Sequence, residues 1–358
     1  MIHYKAIVKE LIETGTLTEN RTGVNSISLF GKQYKYQMRD GFPILTTRYQ
    51  DFRKIVIELL WFIKGDGCVD FLDEHNVKLW KPWTDPDTNS VGPLYPVQWR
   101  NYVSIIKDEN GYHEEKIDQL QIIIDNIRQN PYSRRHVVSA WNPTYNPDES
   151  LSPIDNVKEG KMALSPCHTL FQFSVRKLNL HDALLHENNL EVLCDICREL
   201  SSIGEITIKN PTVSLRVDNS PERVKECATI IADYIRNHPE KDFSQYDIWR
   251  NGLSLQLYQR SWDVGAAGGW NVSQYALLLH MVAKITNLIP LEFIHSIGDI
   301  HVYEDQLPAL SEQLTRDVYP LPRLVINGEQ KEIDDFTIDN FELIDYKHHD
   351  KLYIPVAT

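Results

Sequence analysis

The chain has few of the features that mark secreted, membrane or disulfide-bonded proteins. Only five of its 358 residues are cysteines, and an odd number in a long chain does not indicate a disulfide framework. No apolar run is long enough to span a bilayer. The amino-terminal residues alternate apolar and charged side chains, as in an amphipathic helix rather than a secretion signal. We therefore expect a reducing, cytoplasmic location and no membrane partner.

Positive charge is also scarce. The sequence has 37 lysines and arginines against 50 aspartates and glutamates, which gives a formal net charge of -13. This balance argues against broad electrostatic attraction to nucleic acid. A few clustered arginines can still bind a small phosphate compound inside an acidic protein, so we expect a small-molecule partner and no nucleic acid.

The patterns of secondary structure indicate one large domain of the α+β class. Helices and strands are both predicted, but they do not alternate regularly, which favours a mixed β-sheet packed with helices. Helical patterns occur at 51–64, 116–129, 222–237 and 272–288, and strand-like patterns at 136–141, 169–175, 212–217, 253–258 and 291–297. The polar, proline-bearing stretch 143–162 is typical of a surface loop. Residues 178–250 carry helix and strand signals of their own, so a single catalytic domain over 1–358 is expected to contain an inserted subdomain there.

Cys167 is the cysteine whose position most suggests chemistry. It lies between Pro166 and His168, directly before an apolar strand, so its thiol would be held in a fixed place. Most buried cysteines are inert, and a reactive one needs a nearby cation that favours the thiolate. Arg260, in the stretch LYQRSWD, could supply that charge, although spacing alone does not bring the two together.

Glu58 is the only charged residue within the stretch IVIELLWFI. It could lie on the polar edge of a helix or pair with a cation. It could equally be a desolvated carboxyl group with a raised pKa, which would suit proton transfer. The sequence leaves both interpretations open.

Two other pairs of residues are candidates for binding. Arg134 and Arg135 follow turn residues and precede a strand; adjacent surface arginines are usually solvated, but two guanidinium groups there would suit a phosphate. Cys194 and Cys197 form a lone CxxC in a helical stretch, with no second pair at zinc-like spacing. We interpret that pair as helix packing and expect no metal site.

Taken together, these segments and several others resemble the thymidylate synthase family. The resemblance rests on motifs in the family's order: TENRTGVNSISLFGKQ (18–33), DGFPILTTR (40–48), IELLWFIKGD (57–66), LWKPW (79–83), GPLYPVQWRNY (92–102), SRRHVVSAWNP (133–143), MALSPCHTLFQF (162–173), LYQRSWD (257–263), GGWNVSQYALLLHM (268–281), GDIHVY (298–303) and PVAT (355–358). It implies that carbon is transferred from 5,10-methylenetetrahydrofolate to C5 of dUMP. Cys167 would add to C6 of the uracil, Arg260 would favour its thiolate, and Glu58 and Tyr95 would transfer protons.

The resemblance also implies the binding residues. Those expected to contact the nucleotide are Arg21, Arg260 and Ser261 at the phosphate, Asn271 at the base, and His301 and Tyr303 at the sugar. Arg134 and Arg135 would reach the phosphate from the opposite subunit, which makes a homodimer part of the site. The folate side would be formed by Trp80, Trp83, Leu164, Asp263 and the terminal PVAT with Thr358.

Several departures from the family pattern leave the final product open. Pro96 replaces a glycine, Asp51 a histidine and Thr358 an aliphatic residue, and the stretch 265–271 reads GAAGGWN. These changes fall mostly on the folate side. The chain could therefore be a thymidylate synthase giving dTMP and dihydrofolate, or a dUMP 5-hydroxymethylase giving 5-hydroxymethyl-dUMP and tetrahydrofolate. Asn271 disfavours a cytidylate hydroxymethylase, and a silent nucleotide-binding homologue is the remaining alternative.

Overall fold

The chain divides into a larger and a smaller unit, and the site residues predicted above belong to the larger one. The larger unit comprises 1–174, 254–286 and 292–358, and the smaller unit comprises 175–253 and 287–291. The computed structural model describes residues 2–19, 23–186, 189–203, 205–206, 220–246, 248 and 251–356.

Helices and strands both contribute to the fold. The α-helices of the described residues are α1 (Ile2–Thr14), α2 (Phe52–Lys64), α3 (Asp70–Glu74), α4 (Tyr95–Arg100), α5 (Gln119–Gln129), α6 (Pro153–Lys158), α7 (Leu180–Leu184), α8 (Leu190–Ser202), α9 (Pro221–Asn237), α10 (Gly268–Ile285) and α11 (Leu307–Thr315). The strands are β1 (Thr16–Thr18), β2 (Ser26–Gln37), β3 (Tyr102–Asp108), β4 (Gly111–Ile117), β5 (Val137–Ser139), β6 (His168–Lys177), β7 (Asn251–Asp263), β8 (Ile289–Tyr303), β9 (Arg323–Ile326) and β10 (Phe341–Ile344).

A six-stranded mixed sheet in the order β1-β2-β8-β7-β6-β5 is the main element of the architecture. Strand β2 pairs antiparallel with both β1 and β8, and β5 pairs antiparallel with β6. Two further antiparallel pairs, β3–β4 and β9–β10, form small separate sheets. The α+β prediction is confirmed. No helix among the described residues is both long and apolar enough to cross a membrane.

Helix α2 carries Glu58 into the interior of the larger unit. Its residues from Ile55 to Ile63 are all buried, as the apolar sequence predicts. Asp51 is its N-cap, and the side chain accepts a hydrogen bond from the backbone N–H of Lys54 at 3.2 Å. Gly65 ends the helix in the left-handed region with φ 76°, a conformation that favours glycine. The aspartate that departs from the family pattern therefore has a structural role as a cap.

Three of the predicted elements differ from the structure. The predicted helix 116–129 begins only at Gln119, because 116–117 still pair in β4 and Asp118 caps the helix by accepting from the N–H of Gln121 at 2.9 Å. The predicted helix 272–288 begins earlier, at Gly268. The predicted surface loop 143–162 contains α6, capped by Ser152. The predicted strand 212–217 lies outside the described residues.

The smaller unit has a hydrophobic cluster of its own, built from α7, α8 and α9. Its buried members are Leu184, Leu193, Cys194, Ile196, Cys197, Leu200, Cys227, Ala228, Ile231 and Tyr234. The two cysteines of the CxxC pair thus lie on one helix and pack into this cluster. That arrangement agrees with their interpretation as helix packing.

Candidate active site

A cavity of about 740 Å³ in the larger unit brings most of the predicted site residues together. Those that line it are Glu58, Trp80, Trp83, Tyr95, Leu164, Cys167, Arg260, Ser261, Asp263, Asn271, His301 and Tyr303. Arg134 and Arg135 do not line it and are exposed to solvent. Arg21 and Thr358 lie outside the described residues.

Strand periodicity explains how one part of this wall is formed. Asp299, His301 and Tyr303 occupy alternate positions of β8, so their side chains project from the same face of the strand. All three line the cavity, and β2 pairs Ser28 with His301 and Ser26 with Tyr303. The motif GDIHVY therefore presents its polar residues along one edge of the cavity.

The candidate nucleophile is held by backbone hydrogen bonds on both sides. The hydroxyl oxygen of Tyr95 accepts from the backbone N–H of Cys167 at 2.8 Å and from that of His168 at 3.4 Å. The carbonyl of Cys167 accepts from the N–H of Arg260 at 2.9 Å. Burial raises the pKa of the Tyr95 phenol, so the group stays neutral and retains a proton. The thiol thus lies beside a fixed hydroxyl group.

Arg260 contacts the same short segment through its side chain. Its Nε donates to the carbonyl of Pro166 at 3.1 Å, and its Nη2 donates to the carbonyl of Ser165 at 2.8 Å. The face of the guanidinium lies 5.9 Å from the ring centre of Trp141. These bonds place the guanidinium group of Arg260 next to the segment that carries Cys167. The sequence alone could not show that the two residues are close in space.

Glu58 is a buried carboxylate surrounded by donors. Its Oε1 accepts from the indole N–H of Trp80 at 2.7 Å, and its Oε2 accepts from the indole N–H of Trp270 at 2.6 Å and from the amide of Gln274 at 3.0 Å. Burial raises the pKa of Glu58, and the three hydrogen bonds oppose that rise because they favour the charged form. Of the two interpretations that the sequence leaves open, the desolvated carboxyl group is the one that the structure contains.

Asn271 belongs to a hydrogen-bonded chain of buried side chains. Its Oδ1 accepts from the amide of Gln259 at 3.2 Å, and the Oε1 of Gln259 in turn accepts from Nε2 of His295 at 2.8 Å. Burial lowers the pKa of His295 to about 3, so the imidazole is neutral and can act as a fixed donor. This chain fixes which way the amide of Asn271 faces.

His168 forms the other neighbour of Asn271. Burial lowers the pKa of His168 to about 4, so the ring is neutral, and the interaction with Asn271 opposes that fall. Its ring stacks on Tyr95 with centres 5.0 Å apart. Its Nδ1 is buried without a hydrogen-bond partner among the described residues. This nitrogen is therefore a buried polar atom within an aromatic wall.

Several residues of this site were not anticipated from the sequence. Trp270 and Gln274 share one carboxylate oxygen because residues four apart lie on the same face of α10. Their spacing within GGWNVSQ could have suggested a common partner, but nothing in the sequence identifies Glu58, more than two hundred positions away. Gln259 lies in the motif LYQRSWD and lines the cavity, whereas His295 reaches the site only through Gln259 and carries no local signal.

The stretch predicted as a surface loop also reaches the site. Asn156 is buried, its Oδ1 accepts from the N–H of Asp148 at 2.7 Å, and its amide donates to the carbonyl of Asp148 at 3.0 Å. These bonds fold the segment so that Asp148, Glu149 and Leu151 line the cavity. The predicted surface loop is thus largely exposed, but it also contains α6 and a buried amide that brings part of it to the cavity.

Within the described residues, no group of three or more histidine, cysteine or acidic side chains could hold a metal ion. A thiol next to a cation, with a buried carboxyl group in the same cavity, provides the groups that covalent catalysis with proton transfer requires. The thymidylate synthase family model matches residues 2–187 and 222–358. The chain belongs to the thymidylate synthase family, whose members are folate-dependent one-carbon transferases acting on dUMP.

Proposed function

We propose that this protein is a thymidylate synthase that converts dUMP and 5,10-methylenetetrahydrofolate into dTMP and dihydrofolate. The observation that carries the proposal is the aromatic enclosure of Glu58, which is only 6% exposed and bonded to the indoles of Trp80 and Trp270. Such an enclosure limits the access of water to the reacting carbon, which favours completion by hydride over completion by water.

Cys167 begins the reaction in this proposal. Addition of its thiolate to C6 of the uracil shifts the C5–C6 electron pair towards C5 and O4, so that C5 becomes nucleophilic. The charge of Arg260, bonded to the two residues before Cys167, favours the thiolate. Once C5 has bonded to the incoming one-carbon unit, loss of the C5 proton and departure of the thiolate restore the C5–C6 double bond. Tyr95 and Glu58, which line the same cavity, are the groups proposed to move protons, together with ordered water.

Asn271 is proposed to identify the base. Its amide oxygen can accept from N3–H of uracil while its amide nitrogen donates to O4. The oxygen already accepts from Gln259, but a carbonyl oxygen has two lone pairs, so one remains for the base. Cytosine presents the reverse arrangement at N3 and C4, so this amide favours dUMP. His301 and Tyr303, on the face of β8, are proposed to bind the sugar hydroxyl.

The folate side of the cavity suits a planar, partly apolar ligand. Trp80, Trp83 and Leu164 give it broad apolar walls, and the partly buried carboxyl group of Asp263 offers a polar contact. Burial raises the pKa of Asp263. When bound, the folate supplies the methylene carbon and a hydride.

A homodimer completes the site in this proposal. Among the described lining residues the carboxylates are Glu58, Asp148, Glu149, Asp263 and Asp299, whereas Arg260 is the one guanidinium. A phosphate dianion needs more positive charge than this wall supplies. Arg134 and Arg135 are exposed and lie outside their own cavity, which suits a role in the cavity of a second copy. Arg21 is proposed as a further phosphate ligand.

Residues 178–250 are proposed to be an insertion into the catalytic domain. The family model leaves 188–221 unmatched. The hydrophobic cluster of the smaller unit is formed by residues of the longer segment 178–250. The proposal predicts that replacing the segment by a short linker leaves the reaction type unchanged.

A second candidate is a dUMP 5-hydroxymethylase, in which water completes the product. It is favoured by Ala266 and Ala267, small residues that line the cavity and leave room beside the reacting atoms. Incubation with dUMP and methylenetetrahydrofolate separates the two candidates. Dihydrofolate absorbance with dTMP by mass supports the synthase, and 5-hydroxymethyl-dUMP without dihydrofolate replaces it by the hydroxymethylase. No product and no release of tritium from C5 would refute both.

A further inference from the structure

Gln306 is a fully buried glutamine whose polar atoms all have partners. It ends the short 3-10 turn Glu304–Gln306 that leads into α11. Its Oε1 accepts from the backbone N–H of Tyr303 at 3.2 Å. Its Nε2 donates to Oδ2 of Asp263 and to the carbonyl of Pro355, both at 3.0 Å. A buried amide is costly unless its hydrogen bonds are made, so this position is strongly specified.

These three bonds join three separate parts of the cavity wall. Tyr303 belongs to the side proposed for the nucleotide, and Asp263 belongs to the side proposed for the folate. Pro355 belongs to the carboxyl-terminal segment, and its neighbour Val356 also lines the cavity. One side chain therefore connects both substrate sides to the end of the chain.

Gly265 is a second observation that supports a specific place for the side chain of Gln306. A β-carbon at position 265 would lie 2.6 Å from Cδ of Gln306, closer than real β-carbons approach other atoms. The loop cannot simply shift away, because Arg48 donates to the carbonyl of Gly265 at 2.6 Å and Tyr4 donates to that of Val264 at 3.0 Å. The glycine that opens the unusual stretch GAAGGWN thus makes room for Gln306.

We propose that Gln306 is a positioning residue that tethers the carboxyl-terminal segment to Asp263 and thereby keeps water out of the folate side of the cavity. The inference rests on the proposed function, since it explains how this chain favours hydride over water. It assigns to Gln306 and Gly265 a part in product choice, although neither is expected to touch the reacting atoms.

The first test replaces Gln306 by methionine, which keeps the length of the side chain and removes its donors and acceptor. The matched control is Gln313→Met, at a buried glutamine of α11 that donates to Oγ1 of Thr47 at 2.7 Å and, among the described residues, has no bond to the terminal segment. We expect Gln306→Met to raise KM for methylenetetrahydrofolate about twofold to tenfold, the range of one neutral hydrogen bond. KM for dUMP should change by a smaller factor, because only the bond to the backbone N–H of Tyr303 lies on the nucleotide side, and part of the product should become 5-hydroxymethyl-dUMP. A wild-type product ratio and folate KM in Gln306→Met would overturn the proposal, as would the same changes in Gln313→Met.

The second test asks whether Gln306 acts through the terminal segment. In a chain that lacks residues 355–358, Gln306→Met should change the folate KM and the product ratio little further, because the bond to Pro355 is already gone. Effects that multiply in the combined variant would show that Gln306 acts by another route.

A third measurement does not depend on turnover. Carboxypeptidase should trim the terminus of Gln306→Met about twofold to tenfold faster than that of the wild type or of Gln313→Met, as followed by intact mass. Equal trimming rates would refute the tether. Wild-type protein that formed no dTMP would refute the synthase proposal alone, and the trimming rates would then decide on the tether by themselves.

Discussion

The hydrogen bond from Trp270 to Glu58 allows a direct prediction about the pH dependence of the reaction. Trp270→Phe keeps an aromatic ring but removes the donor that lies 2.6 Å from Oε2 of Glu58, leaving the bonds from Trp80 and Gln274. A hydrogen bond to a charged group contributes about 1.5–3 kcal/mol, and it acts mainly on the ionised carboxylate. Because the ionised form loses more than the protonated form, the pKa of Glu58, already raised by burial, must rise further.

The assay is kcat and kcat/KM for dTMP formation as a function of pH. The limb of the profile that reports Glu58 should move to higher pH in Trp270→Phe, whether the group acts as a base or as an acid. Trp83→Phe is the matched control, since Trp83 lines the same cavity without a bond to Glu58. If the profile of Trp270→Phe does not move, or if Trp83→Phe moves by the same amount, the role given to this bond is wrong.

Three further predictions concern the base, the dimer and the stability of α2. Asn271→Asp should lower kcat/KM for dUMP by about tenfold or more and raise turnover of dCMP, as measured by product mass; an unchanged preference for dUMP would contradict the base-reading role. Arg134→Ala combined with Arg135→Ala should be inactive alone, but mixing with Cys167→Ala should restore roughly a quarter of wild-type activity, because half of the dimers are mixed and each has one complete site. No recovery on mixing would contradict shared arginines. Asp51→Ala should lower the free energy of unfolding in urea by about 1 kcal/mol through loss of the helix cap, with kcat unchanged, and an unchanged unfolding midpoint would contradict the capping role.

Elements with strong local patterns were predictable from the sequence. Helix α2 is apolar on nearly every side, and the structure buries it as expected from 51–64. Helix α10 is also predicted, but the predicted start at 272 lies after the observed start at Gly268. Gly268 and Gly269 weaken the helical pattern of the first turn. The loop 143–162 is largely exposed as predicted, but the buried amide of Asn156 organises part of it through contacts that proline and polarity do not reveal.

The candidate site was predictable only in part, for reasons of distance along the chain. Motifs identified Cys167 and Arg260, but their proximity depends on hydrogen bonds between segments more than ninety positions apart. The environment of Glu58 could not be decided locally, because two of its three donors come from α10. The role of Arg134 and Arg135 at the phosphate of a second subunit stays a prediction, because one chain alone cannot show a contact between subunits.

The most direct measurement of the central claim follows tritium released from C5 of labelled dUMP in the presence of methylenetetrahydrofolate, for the wild type and Cys167→Ala. The covalent mechanism requires the thiolate to make C5 reactive, so the wild type should release tritium together with formation of dTMP. Cys167→Ala should release none while still binding dUMP, because the residues proposed to hold the phosphate, sugar and base are intact. Tritium release and dTMP formation by Cys167→Ala would contradict the account.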